Sequence, residues 1–133
     1  MHFRQRIPTV EAYKTVRASV GWNIPEDEAI GRALASSLFS VVAEDDGLLV
    51  GLGRVVGDGG LYFYVQDVMV HPSFQGKGLG TQLMQRVMGY IGAEAPPGAF
   101  VGLMASQGLG SFYASFGFHP REPDAPGMYR CMT

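Results

Sequence analysis

Within the seven residues Gln75-Gly76-Lys77-Gly78-Leu79-Gly80-Thr81 the chain places three glycines, a lysine and a hydroxyl. An apolar, β-rich run from Leu61 to Val70 precedes them, and a segment of helical periodicity starts at Leu79. A glycine-rich loop feeding a helix N-terminus leaves several backbone N–H groups unpaired and pointing one way, and the helix dipole adds partial positive charge there. That is a site for an anion, most naturally a phosphate. The loop is not a P-loop, because no Gly-Lys is followed by Ser or Thr, and it lacks the G-x-G-x-x-G spacing of a dinucleotide fold.

The rest of the chain has to position this loop. With 133 residues, the length suits one domain over residues 1–133. No apolar run approaches the roughly 20 residues that span a bilayer. The N-terminal segment has no signal-peptide core, so cytoplasmic residence and no membrane partner are expected. A net charge of −2 gives little bulk attraction to nucleic acid, which is not expected as a partner. The single cysteine, Cys131, excludes an intrachain disulfide, and His2, His71 and His119 show no metal-ligand spacing, so no metal is expected.

Residues 2 to 7 read as a short strand. Thr9 caps a first helix whose buried stripe is Val10, Tyr13, Val16 and Val20, with Glu11, Lys14 and Arg17 on its outer face. Pro25 opens a second helix, with acidic residues in its first turn. Asp45-Asp46-Gly47 separates two β-rich runs as a hairpin turn, and residues 57 to 60 turn into a third strand. Gly51 and Gly53 in the middle run imply a close approach by backbone or a substituent. The central helix is expected from Leu79 to about Ile91, with Gly92 ending it, then a strand over 99–104 and a short helix over 108–115. Strands from Phe116 and over 128–132 complete the sheet.

Two motifs at a fixed separation sharpen the anion. Gln75 to Gly80 has the form Q-x-x-G-x-G directly after a strand, and residues 112 to 118 read FYASFGF. Together they resemble the GCN5-related N-acetyltransferase (GNAT) superfamily, and the resemblance covers most of the chain in element order. It implies an α+β fold: a mostly antiparallel mixed sheet of six to seven strands, about four helices, and a splayed parallel pair at the acetyl-CoA site. The co-substrate would be acetyl-CoA, with its pyrophosphate on Gln75, Gly76, Lys77, Gly78, Leu79, Gly80 and Thr81. Val68, Met69 and Val70 would face the pantetheine arm and thioester.

By the same resemblance Tyr113 would be the general acid to the CoA sulfur. Ser106 stands where many relatives carry a pantetheine-binding Asn, with Gln107 as a substitute. Trp22 would border the acceptor pocket. The strand positions that often hold a Glu or His base are occupied by Tyr64 and Gln66. Asp67 beside them is a charge in an apolar strand, open to three roles: a base with a pKa raised by burial, a partner for the substrate ammonium, or a cap for backbone N–H groups. The implied reaction is direct acetyl transfer to a primary amine of a small molecule or peptide in a ternary complex. Transfer of another acyl group or to a hydroxyl, and a non-catalytic acyl-CoA sensor, are the alternatives. Residues 120 to 128 either cover the acceptor cleft or mediate contacts in a homodimer.

Overall fold

The computed structural model describes residues 1–133. Its elements run β1 (His2–Gln5), α1 (Val10–Ser19), α2 (Asp27–Ala35), β2 (Phe39–Asp45), β3 (Leu48–Gly57), β4 (Tyr62–Val70), α3 (Leu79–Glu94), β5 (Phe100–Gly102) and α4 (Gly110–Ala114). The strands form one sheet in chain order, antiparallel from β1 to β4 and parallel between β4 and β5. This is the expected α+β architecture with its parallel pair. No helix is long and apolar enough to cross a membrane.

The two faces of the sheet are covered differently. Leu83, Met84, Val87 and Ile91 of α3 pack on Val41, Ala43, Val55, Phe63 and Val65. On the other face Tyr13 and Val16 of α1 and Ile30 and Leu34 of α2 pack on Val42, Leu52 and Met69. Gly51 and Gly53 are explained by the first layer. A Cβ at Gly51 would lie 3.1 Å from Leu83 Cδ1, and one at Gly53 would lie 3.1 Å from Val87 Cγ2. What approaches the middle strand is the central helix, seated where two side chains are missing.

The hairpin between β2 and β3 turns on Asp46 and Gly47, both at positive φ (50° and 76°), as a type I′ turn requires. At the next turn Asp58 Oδ1 accepts from the N–H groups of Gly60, Leu61 and Tyr62 at 2.8 to 3.0 Å. Those donors hold the Asp58 carboxyl below its usual range.

Several expected boundaries move. The sheet has five strands rather than six or seven, because neither C-terminal strand forms. Phe116-Gly117-Phe118 instead closes α4. Gly117 takes φ +94°, its N–H donates to Ala114 O at 3.0 Å, and Phe118 N–H donates to Tyr113 O at 3.3 Å. This is a Schellman cap, and its accompanying apolar contact is Phe118 edge-on to the Tyr113 ring, centroids 6.4 Å apart. Residues 128–132 lie exposed outside any element. The central helix runs through Gly92 to Glu94, since glycine costs a helix only about 1 kcal/mol and the stop comes at Pro96. β5 is three residues long, shorter than residues 99–104, because its pairing with β4 ends at Tyr64 and Gly102.

Candidate acetyl-CoA and acceptor site

β4 is the spine of the site. Its ladder with β5 covers only Tyr62 to Tyr64, so main-chain groups of Val65 to Val70 on that side have no strand partner. Into the gap opens a cavity of about 280 Å³. Val65, Gln66, Asp67 and Val68 form one wall, Leu103, Met104, Ser106 and Tyr113 the opposite one, and Arg17, Trp22 and Asn23 close the end.

A bulge in β4 sets which side chains reach this gap. Leu52 pairs with Met69 and Arg54 with Gln66, so two steps along β3 match three along β4. The extra residue falls at Asp67, whose φ is +57°. Phe63 and Val65 face α3, and strict alternation would send Asp67 there too. The bulge turns it to the opposite face and returns Val68 to the α3 side.

Asp67 is 2% exposed and fully engaged. Oδ2 accepts from Tyr13 Oη at 2.7 Å and Arg54 Nε at 2.9 Å, while Oδ1 accepts from Gln66 Nε2 at 3.2 Å and lies 3.7 Å from Arg17 Nη1. Arg54 in turn donates to Ser37 Oγ at 2.8 Å and Ala33 O at 3.2 Å. Burial and the neighbouring carboxylate push the Tyr13 phenol above its ordinary value, with Arg17 opposing. Of the three roles open to Asp67, capping backbone N–H groups is not what the geometry shows. Its partners are side chains.

Tyr113 is buried at 7% exposure, yet its hydroxyl finds no partner within the chain and faces the cavity. Desolvation raises its pKa above 10.0, which keeps the phenol protonated through neutrality. Phe112 beside it lies 3.6 Å from where a Gly80 Cβ would be. The aromatic motif is therefore packed directly on the first turn of the signature helix.

In the loop itself, Gly76 and Gly78 adopt φ +78° and +80°, which only glycine takes without strain. The backbone N–H groups of residues 76 to 81 have no acceptor in the chain; the first paired one, Gln82, donates to Gly78 O at 3.2 Å. Gln75 reaches back, its Nε2 donating to Val70 O at 2.9 Å, and so fixes the loop to the end of β4. Lys77 Nζ sits 5.3 Å over the Phe74 ring.

The structure thus gathers Trp22, Gln66, Asp67, Val68, Ser106 and Tyr113 around one cavity, with the 75–81 loop at the far end of the same strand. It does not bring Tyr64 in. That side chain stands in the paired part of β4 opposite Gly102, and burial raises its phenol pKa, which makes it a poor base. Met69 turns its side chain into the α1 and α2 layer, and Gln107 is off the wall. Arg17, Asn23, Leu103 and Met104 were not anticipated. Helical period placed Arg17 outward with Glu11 and Lys14. It instead folds over the end of the helix, donating from Nε to Asn23 O at 2.6 Å, from Nη2 to Asn23 Oδ1 at 3.2 Å and from Nη1 to Tyr13 Oη at 2.7 Å.

Residues 10–126 match the family model described as the acetyltransferase (GNAT) domain. The chain is 33% identical over 120 residues to serotonin N-acetyltransferase 2, chloroplastic, of Oryza sativa subsp. japonica, covering 87% of this chain and 58% of that protein. It spans less than two thirds of the length of the curated relatives it matches. The solved structure of protein SA2161 from meticillin-resistant Staphylococcus aureus superposes with a TM-score of 0.93 at 37% identity, over 98% of each chain. A GNAT family acetyltransferase from Brucella melitensis, solved in complex with acetyl-CoA, superposes with a TM-score of 0.63 at 25% identity, over 89% of this chain and 82% of that one. The range matched by the family model takes in the 75–81 loop, β4, β5 and α4, and the chain belongs to the GNAT acetyltransferase family.

Proposed function

We propose that this protein transfers an acetyl group from acetyl-CoA directly to a primary amine in a ternary complex. The observation that carries this reading is the arrangement along β4: unpaired N–H donors at residues 76 to 81, then a strand edge without a partner, then a free phenol at Tyr113. The N–H groups and Lys77 would take the pyrophosphate, with Thr81 adding a hydroxyl. The pantetheine arm would lie along the open edge of Val68 to Val70 and contact Ser106. A main-chain N–H of Val68 or Met69 would polarise the thioester carbonyl.

The amine attacks this carbonyl, the tetrahedral intermediate collapses, and the departing thiolate takes a proton from Tyr113. Asp67 holds Arg54, Tyr13 and Arg17 together and shapes the acceptor end; with its oxygens so engaged, we assign it a positioning role and not that of the base. The cavity offers no other carboxylate or imidazole. The proton of the attacking amine then leaves through water, so the rate follows the fraction of neutral amine. Trp22 and Gln66 form the acceptor wall.

A thiol-release assay with acetyl-CoA and a panel of arylalkylamines, polyamines, amino acids and peptides tests this. Amine-dependent release with an acetylated product of matching mass is expected. Tight acetyl-CoA binding with no release across the panel would favour the sensor reading, to which the lack of a base in the cavity lends its support. Release that responds only to alcohols would move the acceptor to a hydroxyl.

A further inference from the structure

Three hydrogen bonds hold Arg17 at the end of the cavity, two to Asn23 and one to the Tyr13 hydroxyl. A guanidinium carries five N–H donors. One on Nη1 and one on Nη2 therefore find no acceptor in the chain, because Asp67 Oδ1, 3.7 Å from Nη1, is too far for a hydrogen bond. The side chain keeps 17% exposure, and the space it borders is the cavity.

The charges at this end do not cancel. Asp67 is the one carboxylate in the lining, and it is shared between Arg54 Nε at 2.9 Å and Arg17. An arginine side chain in a protein is always charged, so one positive charge is left over. Arg17 is the member that carries it to the cavity, since Arg54 is 6% exposed and commits its Nη1 to Ser37 and Ala33. The nearby acids on α1 and α2 are engaged elsewhere: Glu11 and Asp27 lie 3.6 and 2.9 Å from Lys14. A surplus positive charge on the wall of a half-closed cavity favours an anion there and opposes a second cation. Beside it the lining turns apolar, with the Trp22 ring 5.8 Å from the Arg17 guanidinium and Leu103 and Met104 on the opposite wall. A volume of about 280 Å³ is at the small end of ligand pockets and suits a small molecule.

We propose that the acceptor is a small amine bearing a carboxylate, an amino acid with an apolar or aromatic body, and that Arg17 selects it by taking the carboxylate on its two free N–H groups. This rests on the acetyl-transfer reading above and narrows it. The carboxylate gains charge-assisted hydrogen bonds and balances the surplus charge. The apolar body lies against Trp22 and Met104, and the amine is left to reach the thioester edge at Val68. A polyamine brings a second cation to the same place. An arylalkylamine fills the apolar wall but leaves the Arg17 donors unpaired, and a site built to pair a polar group discriminates strongly against the analogue that lacks it.

Matched acceptors test this: leucine, methionine, phenylalanine and tryptophan, each against its own amide, which keeps the amine and the body and removes the negative charge. Transfer is compared at equal concentrations of neutral amine, and binding is measured by calorimetry on the protein loaded with CoA. The free acid is expected to be favoured over its amide by about tenfold or more, in kcat/KM and in Kd. Arg17→Gln is expected to bring that ratio near one, with acetyl-CoA affinity retained to show that the variant folds. Release of the Trp22 wall alone would weaken both members of a pair alike and leave the ratio standing, so a ratio that survives Arg17→Gln overturns the assignment. Amides that bind and react as well as the acids, or acids that do not bind at all, overturn it too. Preferential binding of the acids without any transfer would remove the acetyl-transfer reading and uphold the carboxylate site.

Discussion

Arg54 Nε donates to Asp67 Oδ2 across 2.9 Å, with the two side chains 6% and 1% exposed. The pair exists because the β4 bulge turns Asp67 away from α3 and onto the face where Arg54 lies. Asp67 is the one opposite charge beside Arg54, so neutralising it leaves a buried guanidinium without a counter-charge, which costs about 3–5 kcal/mol. Asp67→Asn isolates this effect, since Asn tolerates the φ of +57° nearly as well as Asp. Urea unfolding should show a loss of that order for Asp67→Asn, and adding Arg54→Met should recover a large part of it.

Gly53 predicts a steric cost with a named cause. An added Cβ stands 3.1 Å from Val87 Cγ2, so Gly53→Ala overpacks the β3 to α3 interface by about 1–3 kcal/mol. Val87→Ala in the same chain opens the space and should return part of that loss. Gly31 in α2 is the contrasting case: nothing lies within 4 Å of its Cβ position, and Gly31→Ala should stabilise by roughly 0.5–1 kcal/mol. Thermal melts of the three variants decide.

The residues that present backbone were the legible ones. Gly76 and Gly78 announce a left-handed loop by type alone, and Asp46-Gly47 announces its turn. Residues set by long-range packing were not. Nothing local distinguishes Arg17 from Lys14, because the inward turn of Arg17 depends on Tyr13 and on the distant Asp67. The bulge at Asp67 is likewise invisible to alternation, which is the rule it breaks. Phe116-Gly117-Phe118 misled for a related reason. Its aromatics suit a strand, but Gly117 at φ +94° makes it the cap that fixes Tyr113.

Gly78 serves as the helix N-cap at φ +80°, with nothing within 4 Å of its Cβ position. Space is therefore not what forbids a side chain there. Gly78→Val forces a β-branched residue into the left-handed region, at about 1–2 kcal/mol, and redirects the N–H groups around it. Acetyl-CoA affinity by calorimetry should fall about tenfold or more. Gly92→Ala, in the exposed body of α3, should leave that affinity unchanged.

Arg17 fastens Asn23, and with it the loop that carries Trp22, to the buried cluster at Asp67. Arg17→Ala should release that wall and raise KM for the amine by about tenfold, a cost of roughly 1.4 kcal/mol in acceptor binding, while KM for acetyl-CoA stays near its starting value. Lysine cannot replace the bidentate grip on Asn23, so Arg17→Lys should recover little. An equal rise in both constants would point to general loosening of the fold.

Tyr113→Phe removes one oxygen from a ring that stays packed between Phe112 and Phe118. On the proposed mechanism this takes away the general acid, and turnover should fall by about 10²–10⁴ while acetyl-CoA affinity holds. The pH profile separates this from a packing effect. Burial raises the Tyr113 pKa above 10.0, so the acid keeps its proton across neutrality and the wild-type rate rises with pH as the amine loses its own. On the alkaline side the rate should fall only beyond pH 10, and that descending limb should be missing from the residual activity of Tyr113→Phe. Stability follows the same sign. The folded state holds the proton more tightly than the unfolded one, so the Tyr113 contribution is complete below pH 10.0 and is lost as pH rises through the folded value. Denaturant melts of wild type and Tyr113→Phe should agree in their pH dependence at neutrality and diverge above pH 10, with the wild type declining more steeply.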